Sequence, residues 1–159
     1  NKGYAKMLVQ KYDEAEKCLK KAIKFKSDMK EAHNDLVLVL RKKGDNKSAL
    51  KVCIHALKSH ENDDTLHRNK GNIHYALDEP EKSLEAFEKA LDLNPYVVDT
   101  WVNKGTVLWK AMQKRDEALS AFDKALEINP QFMAAVDSRI NLEAEIKANK
   151  PSFFKRIFG

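Results

Sequence analysis

The feature that most constrains the fold of this sequence is an internal repeat of 34 residues. The triplet Asn-Lys-Gly occurs at residues 1–3, 69–71 and 103–105, so its copies are 68 and 34 residues apart. Small residues return at the same interval, and one shared position is occupied by Ala22, Ala56 and Ala90. A fixed period of this length is typical of solenoids, in which each repeat is a small structural unit that contacts only its neighbours.

Each repeat is predicted to form two helices joined by a short turn. Pro80 suits the first turn of a second helix, and the Asn-Pro pairs at 94–95 and 129–130 are expected to end helices. The chain has only five glycines and four prolines, which favours long regular elements. We therefore predict an all-α fold. In residues 64–97 apolar side chains follow a helical period in two runs: Leu66, Ile73 and Leu77, then Leu84, Phe87, Ala90 and Leu91.

The repeats divide the chain into units of similar length. They are a partial repeat at residues 1–29, full repeats at 30–63, 64–97 and 98–132, and a closing helix at 131–149. One residue is inserted in the last repeat near Gln113. Residues 1–149 are thus expected to form one solenoid, followed by a tail at 150–159.

Small side chains occupy the positions at which the two helices of a repeat are expected to cross. Glycine or alanine lets two backbones approach closely, because a larger side chain would hold them apart. Gly71 is therefore expected to face Ser83, and Gly105 to face Ala118.

The same positions resemble the consensus of a known family. Residues 1–132 are similar to the tetratricopeptide repeat, a helix–turn–helix unit, and the last repeat agrees at Trp101, Gly105, Ala118, Phe122, Ala125 and Pro130. The resemblance implies a right-handed α-solenoid whose first helices line a concave groove, and a scaffold for protein–protein interaction. His33 and His67 depart from the family at its tryptophan position, and Val37 departs at its glycine position. The triplet Asn-Lys-Gly at this position of the repeat resembles the sequences of archaeal members of the family.

Polar and aromatic residues form a stripe along each of two first helices, which the resemblance places in the groove. An asparagine side chain both donates and accepts, so it can hold the C=O and N–H of an extended peptide. We expect Asn69 and Asn103 to bind a partner's backbone; the alternative is that both are tolerated on an exposed face. The predicted peptide-binding residues, spaced by three and four, are Thr65, Arg68, Asn69, Asn72, Tyr75, Asn103, Thr106, Trp109 and Lys110.

Some members of the family hold a partner's terminal carboxylate with a clamp of basic and amide side chains. Arg68, Asn72 and Asn103 resemble the first part of that clamp. The expected basic pair falls on Ala134 and Ser138, which are uncharged, so the resemblance favours general peptide or helix binding over chaperone-tail binding. A second interpretation is that the chain is the targeting or regulatory arm of a larger enzyme or sensor.

The sequence lacks the motifs of several enzyme and cofactor classes. It has no glycine-rich phosphate loop, no His-Glu-x-x-His and no Gly-x-Ser-x-Gly. His67 and His74 lie on one predicted helix face, but no third ligand is suitably spaced, so both are expected to pack in the core. We therefore predict a non-catalytic protein without a cofactor or metal. Cys18 and Cys53 are far apart in helical sequence, which favours a reducing, cytoplasmic compartment.

Charge is distributed unevenly along the chain. Residues 1–60 hold 15 basic and 7 acidic side chains, whereas residues 61–149 hold 11 and 17. One interpretation is that these charges lie on solvated outer faces; the other is an acidic partner at the basic end, or head-to-tail self-association. The basic run of Lys17, Lys20, Lys21 and Lys24 has no interleaved aromatic residue, so nucleic-acid binding is not expected.

The tail at 150–159 is basic and amphipathic. Burying a large apolar side chain contributes ~1.5–3 kcal/mol, so we expect the tail to dock on another surface. It is too short for a firm membrane anchor, so docking on protein, including a second copy of the chain, is favoured over a membrane surface. The side chains expected to dock are Phe153, Phe154, Ile157 and Phe158.

Overall fold

In a computed structural model of the chain, the backbone is described for residues 2–149 and the side chains for residues 10–149. The described residues form eight α-helices and no strand, which confirms the predicted all-α class. The helices are α1 (Lys2–Phe25), α2 (Lys30–Lys42), α3 (Asn46–Leu57), α4 (Asp64–Ala76), α5 (Pro80–Leu93), α6 (Val98–Lys110), α7 (Arg115–Ile128) and α8 (Met133–Asn149). The predicted tail lies outside the described residues, and so do its four docking side chains, Phe153, Phe154, Ile157 and Phe158.

The helices divide into two compact units. Unit 1 covers Asn1–Pro95 with α1 to α5, and unit 2 covers Tyr96–Gly159 with α6 to α8. In unit 1, α2 packs against α1, α3 and α4, and α4 packs against α3 and α5. In unit 2, α7 packs against both α6 and α8, which also contact each other. The boundary between the two units, Pro95 and Tyr96, lies within residues 1–149, which the repeats predict to form one solenoid.

The turns between paired helices use a left-handed backbone at equivalent positions. Gly44 has φ 80° after α2, Asp78 has φ 60° after α4, and Gln113 has φ 57° after α6. Glycine adopts this conformation without strain, and aspartate tolerates it better than most residues. Gln113 lies 35 residues after Asp78 rather than 34, which agrees with the single inserted residue predicted near it.

The first repeat differs from its predicted helix–turn–helix form. Residues 2–25 form one continuous helix of 24 residues, α1, through the position of the expected turn. That position, residues 9–11, reads Val-Gln-Lys and has no glycine, proline, asparagine or aspartate. The sequence there lacks the residues that favour a left-handed turn, although Gln113 adopts that conformation at the equivalent position of the last repeat.

The packing glycines contact phenylalanine rings within each unit. A Cβ atom on Gly71 would lie 2.6 Å from the Phe87 ring, and one on Gly105 would lie 2.5 Å from the Phe122 ring. The Ser83 hydroxyl donates to the Gly71 carbonyl at 2.8 Å, so the predicted approach of Gly71 and Ser83 is confirmed. Both rings are almost completely buried, which leaves them little room to move.

The two cysteines differ in environment. Cys18 is exposed, whereas Cys53 is fully buried in the core of unit 1 and donates its S–H to the Leu66 carbonyl at 3.2 Å. Burial raises the pKa of the Cys53 thiol to about 12, because a thiolate is poorly solvated there. At pH 8 Cys53 therefore remains protonated.

We expect the thiols of Cys18 and Cys53 to react with Ellman's reagent at different rates. The thiolate is the reactive form, so Cys53 should react at least roughly tenfold more slowly than Cys18 in the folded protein. The measurement is the absorbance time course at pH 8 for the native chain and for Cys18→Ser. Fast labelling of the Cys18→Ser variant without denaturant would contradict this prediction.

Candidate peptide-binding surface

Asn69, the first predicted backbone-binding residue, lies inside unit 1 rather than on its surface. Its side chain is 3% exposed, and its Nδ2 donates to Asn34 Oδ1 on α2 at 3.1 Å. A buried amide of this kind stabilises the contact between α2 and α4. Asn69 is therefore not exposed in unit 1, and its binding of a partner's backbone stays a prediction. Asn34 lies 35 residues before Asn69, one more than the repeat length, so aligning equivalent positions does not reveal the pair.

Two arginines on the same pair of helices have no partner of opposite charge. Among the described residues neither Arg41 on α2 nor Arg68 on α4 forms an ion pair, and Arg68 Nε is buried without a hydrogen-bond acceptor. Burial lowers the pKa of Arg41, and the positive charge of Arg68 nearby lowers it further. The two guanidinium groups thus form a positive site that the described part of the chain does not neutralise.

The other predicted residues of α4 remain available to solvent in part. Thr65 and Asn72 are partly exposed, and Tyr75 is 39% exposed. Together with Arg68 they form a polar and aromatic face on unit 1. Arg41 lies 34 residues before Tyr75, at the equivalent repeat position, but it was not predicted because the predicted residues were taken from α4 and α6 alone.

On α6 of unit 2 the predicted residues are only partly available. Asn103 and Thr106 are partly exposed and Lys110 is exposed. The Thr106 hydroxyl donates to the Val102 carbonyl at 2.8 Å, one turn back in the same helix. The Lys110 ammonium lies 3.1 Å from the centre of the Trp109 ring, which is a cation–π contact.

Trp109 belongs to the core of unit 2. It is 7% exposed and meets the Phe122 ring edge-on at a centroid distance of 6.4 Å. Its Nε1 donates to Glu145 Oε2 on α8 at 2.8 Å, and Arg115 donates to the other carboxylate oxygen at 2.9 and 3.0 Å. The hydrogen bond from Trp109, followed by that from Arg115, lowers the pKa of Glu145. The Trp109 side chain is therefore buried beside α8, and its contact with a peptide stays a prediction.

The two histidines of α4 make bonds inside the protein. His74 is 5% exposed and its Nδ1 lies 2.6 Å from Glu79 Oε2, as expected of a packing residue. His67 is partly exposed, and its Nε2 donates to the Glu61 carbonyl at 2.8 Å. Within residues 10–149 no three His, Cys, Asp or Glu side chains are grouped closely enough to hold a metal ion.

Sequence profiles support the assignment of the repeats. One profile of the tetratricopeptide repeat matches residues 65–96, and a second matches residues 1–29 and 98–132, so together they cover more than half of the chain. The chain belongs to the tetratricopeptide repeat family. No protein of curated function shows significant sequence similarity to it.

Solved structures share the fold of this tetratricopeptide repeat protein. The crystal structure of MamA has a TM-score of 0.77 and 21% identity, covering 92% of this chain and 85% of that one. YrrB, described as a TPR protein with an unusual peptide-binding site, has a TM-score of 0.72 and 25% identity, covering 86% and 70%. The first TPR of Spaghetti (RPAP3), bound to the HSP90 peptide SRMEEVD, has a TM-score of 0.70 and 16% identity, covering 74% and 93%. These likenesses confirm the predicted all-α helical-repeat solenoid.

Membership of the tetratricopeptide repeat family gives the chain a general role. Repeats of this family are typically non-catalytic modules that present extended surfaces to other proteins, so the chain is a protein-interaction scaffold. In the described part of the chain, no helix is both long and apolar enough to cross a bilayer.

Proposed function

We propose that unit 1 binds an acidic segment of a partner protein along the face shared by α2 and α4. The observation that supports this proposal is the pair of unneutralised guanidinium groups of Arg41 and Arg68. A buried donor without an acceptor costs ~1–3 kcal/mol, so the described part of the fold leaves the Arg68 guanidinium short of a hydrogen-bond partner. Arginine suits this role because its planar group donates two parallel hydrogen bonds to one carboxylate.

Neighbouring residues on α4 provide the rest of the proposed contact surface. Thr65 and Asn72 offer hydrogen-bonding groups, and Tyr75 offers an exposed aromatic ring. In unit 2, Asn103, Thr106 and Lys110 remain proposed contact residues of α6. We omit Asn69 and Trp109, because their side chains are buried and bonded within the fold.

A structural relative supports an acidic partner. The peptide bound to the first TPR of Spaghetti, SRMEEVD, has two glutamates before its final Val-Asp. Acidic side chains within such a peptide match the positive site on unit 1. The uncharged Ala134 and Ser138 weigh against a complete clamp for the terminal carboxylate, so we assign recognition to internal acidic side chains.

The proposal is tested by titrating SRMEEVD into the full chain and measuring heat or fluorescence anisotropy. We expect binding to the native protein, and a loss of roughly tenfold or more in affinity for Arg68→Gln and for Arg41→Gln, because each removes a hydrogen bond to a charged group. Amidating the peptide's C-terminus should change the affinity little. Replacing both glutamates by glutamine should weaken binding as strongly as the arginine substitutions do.

The matched control is Arg139→Gln in unit 2. Arg139 is already paired with Asp123 at 2.6 Å and Glu143 at 2.9 Å, so its replacement should leave peptide affinity unchanged. The proposal fails if the neutral peptide binds as tightly as SRMEEVD, or if Arg68→Gln and Arg41→Gln bind at full strength.

A further inference from the structure

Unit 1 also contains a recess that neither Arg41 nor Arg68 lines. It is a cavity of about 280 Å³ between α1, α2 and α3. Ile23, Leu36 and Val52 line it with aliphatic side chains, and His33 and His55 form a further wall. The two imidazole rings are stacked, with centroids 5.8 Å apart and planes 20° from parallel. The lining is therefore apolar, with a flat aromatic side.

One residue that lines the cavity departs from the family consensus. His33 occupies the position that Trp101 occupies 68 residues later, and an imidazole is much smaller than an indole. His33 is 2% exposed, and its Nδ1 donates to the Met29 carbonyl at 2.9 Å. That bond fixes the ring against the start of α2, so the ring does not swing out to fill the space.

Two lysines at the rim give the cavity a positive edge. Lys20 pairs with Glu16 at 2.6 Å, whereas Lys51 has no ion pair among the described residues. The site therefore combines apolar walls, a flat imidazole face and one ammonium group that is free to bind an anion. An engineered apolar cavity of about 150 Å³ holds a benzene molecule, so this volume has room for one ring and a short chain.

We propose that this cavity binds a small aromatic carboxylate. The ring lies against the exposed His55 imidazole, behind which His33 is stacked, and against the aliphatic wall, and the carboxylate reaches Lys51 at the rim. This site is distinct from the proposed peptide-binding face, and its ligand is a small molecule rather than a protein segment.

The test uses 3-phenylpropionate as the probe and the full chain, followed by NMR. We expect the imidazole C–H signals of His33 and His55 to shift in a saturable manner, with a dissociation constant in about the millimolar range or below. The uncharged 3-phenylpropanamide should bind about threefold more weakly, because it makes no ion pair with Lys51. Lys51→Gln should weaken binding of 3-phenylpropionate by the same factor. Lys47→Gln, on the same helix but outside the cavity, should leave the affinity unchanged.

Filling the cavity provides the decisive variant. His33→Trp places the residue that the family prefers at this position, so the chain should fold and lose measurable probe binding. His67→Trp, the equivalent change in the next repeat, should leave probe binding intact. If His33→Trp does not fold, Val52→Phe fills the cavity from its partly exposed edge and should likewise abolish binding. The proposal is overturned if the probe does not shift the two histidines, if the amide binds equally well, or if a folded cavity-filling variant retains binding.

Discussion

Replacing Gly71 by leucine should destabilise unit 1 by about 3 kcal/mol or more, and replacing it by alanine should cost about 1–3 kcal/mol. Alanine normally stabilises a helix relative to glycine by about 1 kcal/mol, so the expected sign is opposite to helix propensity. The reason is that a Cβ atom at this position would lie 2.6 Å from the buried Phe87 ring. Urea unfolding followed by circular dichroism measures the change in the free energy of unfolding.

A double-mutant cycle separates the clash from other effects. Phe87→Leu alone should destabilise the protein by opening a cavity, but Gly71→Ala added to Phe87→Leu should cost much less than in the native background. The same cycle for Gly105 and Phe122 in unit 2 should give the same sign, since a Cβ atom there would lie 2.5 Å from the ring. If the changes in free energy of unfolding were additive at both pairs, a clash between the new Cβ atom and the ring would not be the cause of the destabilisation.

Replacing Trp109 by alanine should destabilise unit 2 by about 3–5 kcal/mol and loosen α8. The indole is buried against Phe122, and its N–H is bonded to Glu145 on α8, so one substitution removes both a packing group and a hydrogen bond. Trp109→Phe keeps an aromatic ring and should cost less. Hydrogen exchange of residues 133–149, compared with that of α7, measures the loosening of α8.

The matched control for Trp109 is the equivalent position in the preceding repeat. Tyr75 lies 34 residues earlier and is 39% exposed. Tyr75→Ala should therefore lower the free energy of unfolding by less than about 1 kcal/mol. If Trp109→Ala and Tyr75→Ala both lowered the free energy of unfolding by the same small amount, Trp109 would be a surface residue rather than a core residue. Unchanged exchange rates in α8 after Trp109→Ala would have the same meaning.

The period of the sequence was sufficient to predict most of the fold. Residues that recur every 34 positions, or 35 across the insertion near Gln113, mark places where backbones cross or side chains enter the core, as Gly71, Phe87 and Phe122 do. Those contacts occur within a repeat, so the glycine–phenylalanine pair recurs in the repeats at 64–97 and 98–132. The single helix α1 was missed because the period predicts a turn at residues 9–11, while the local sequence supplies no residue that favours one.

The candidate site was harder to predict, because its character depends on contacts between different repeats. Asn69 is bonded 35 positions back to Asn34, and Trp109 is bonded 36 positions ahead to Glu145. Both spacings exceed the repeat length, so neither pair lies at aligned positions. Polar and aromatic side chains that look exposed within one repeat bond to a neighbouring one: Asn69 to the preceding repeat and Trp109 to the helix that follows its repeat. Searching for polar pairs one or two residues beyond the period would have found both.

The bond between Asn34 and Asn69 also bears on how unit 1 unfolds. In a nearest-neighbour description of repeat proteins, stability is the sum of intrinsic terms for each repeat and coupling terms for each interface. The contact of Gly71 with Phe87 lies inside one repeat and contributes to an intrinsic term, whereas the amide pair joins two repeats and contributes to coupling. Weaker coupling lets neighbouring repeats melt separately, so loss of the amide pair broadens the unfolding transition and lowers its denaturant dependence. Asn34 and Asn69 thus contribute to the cooperativity of unit 1.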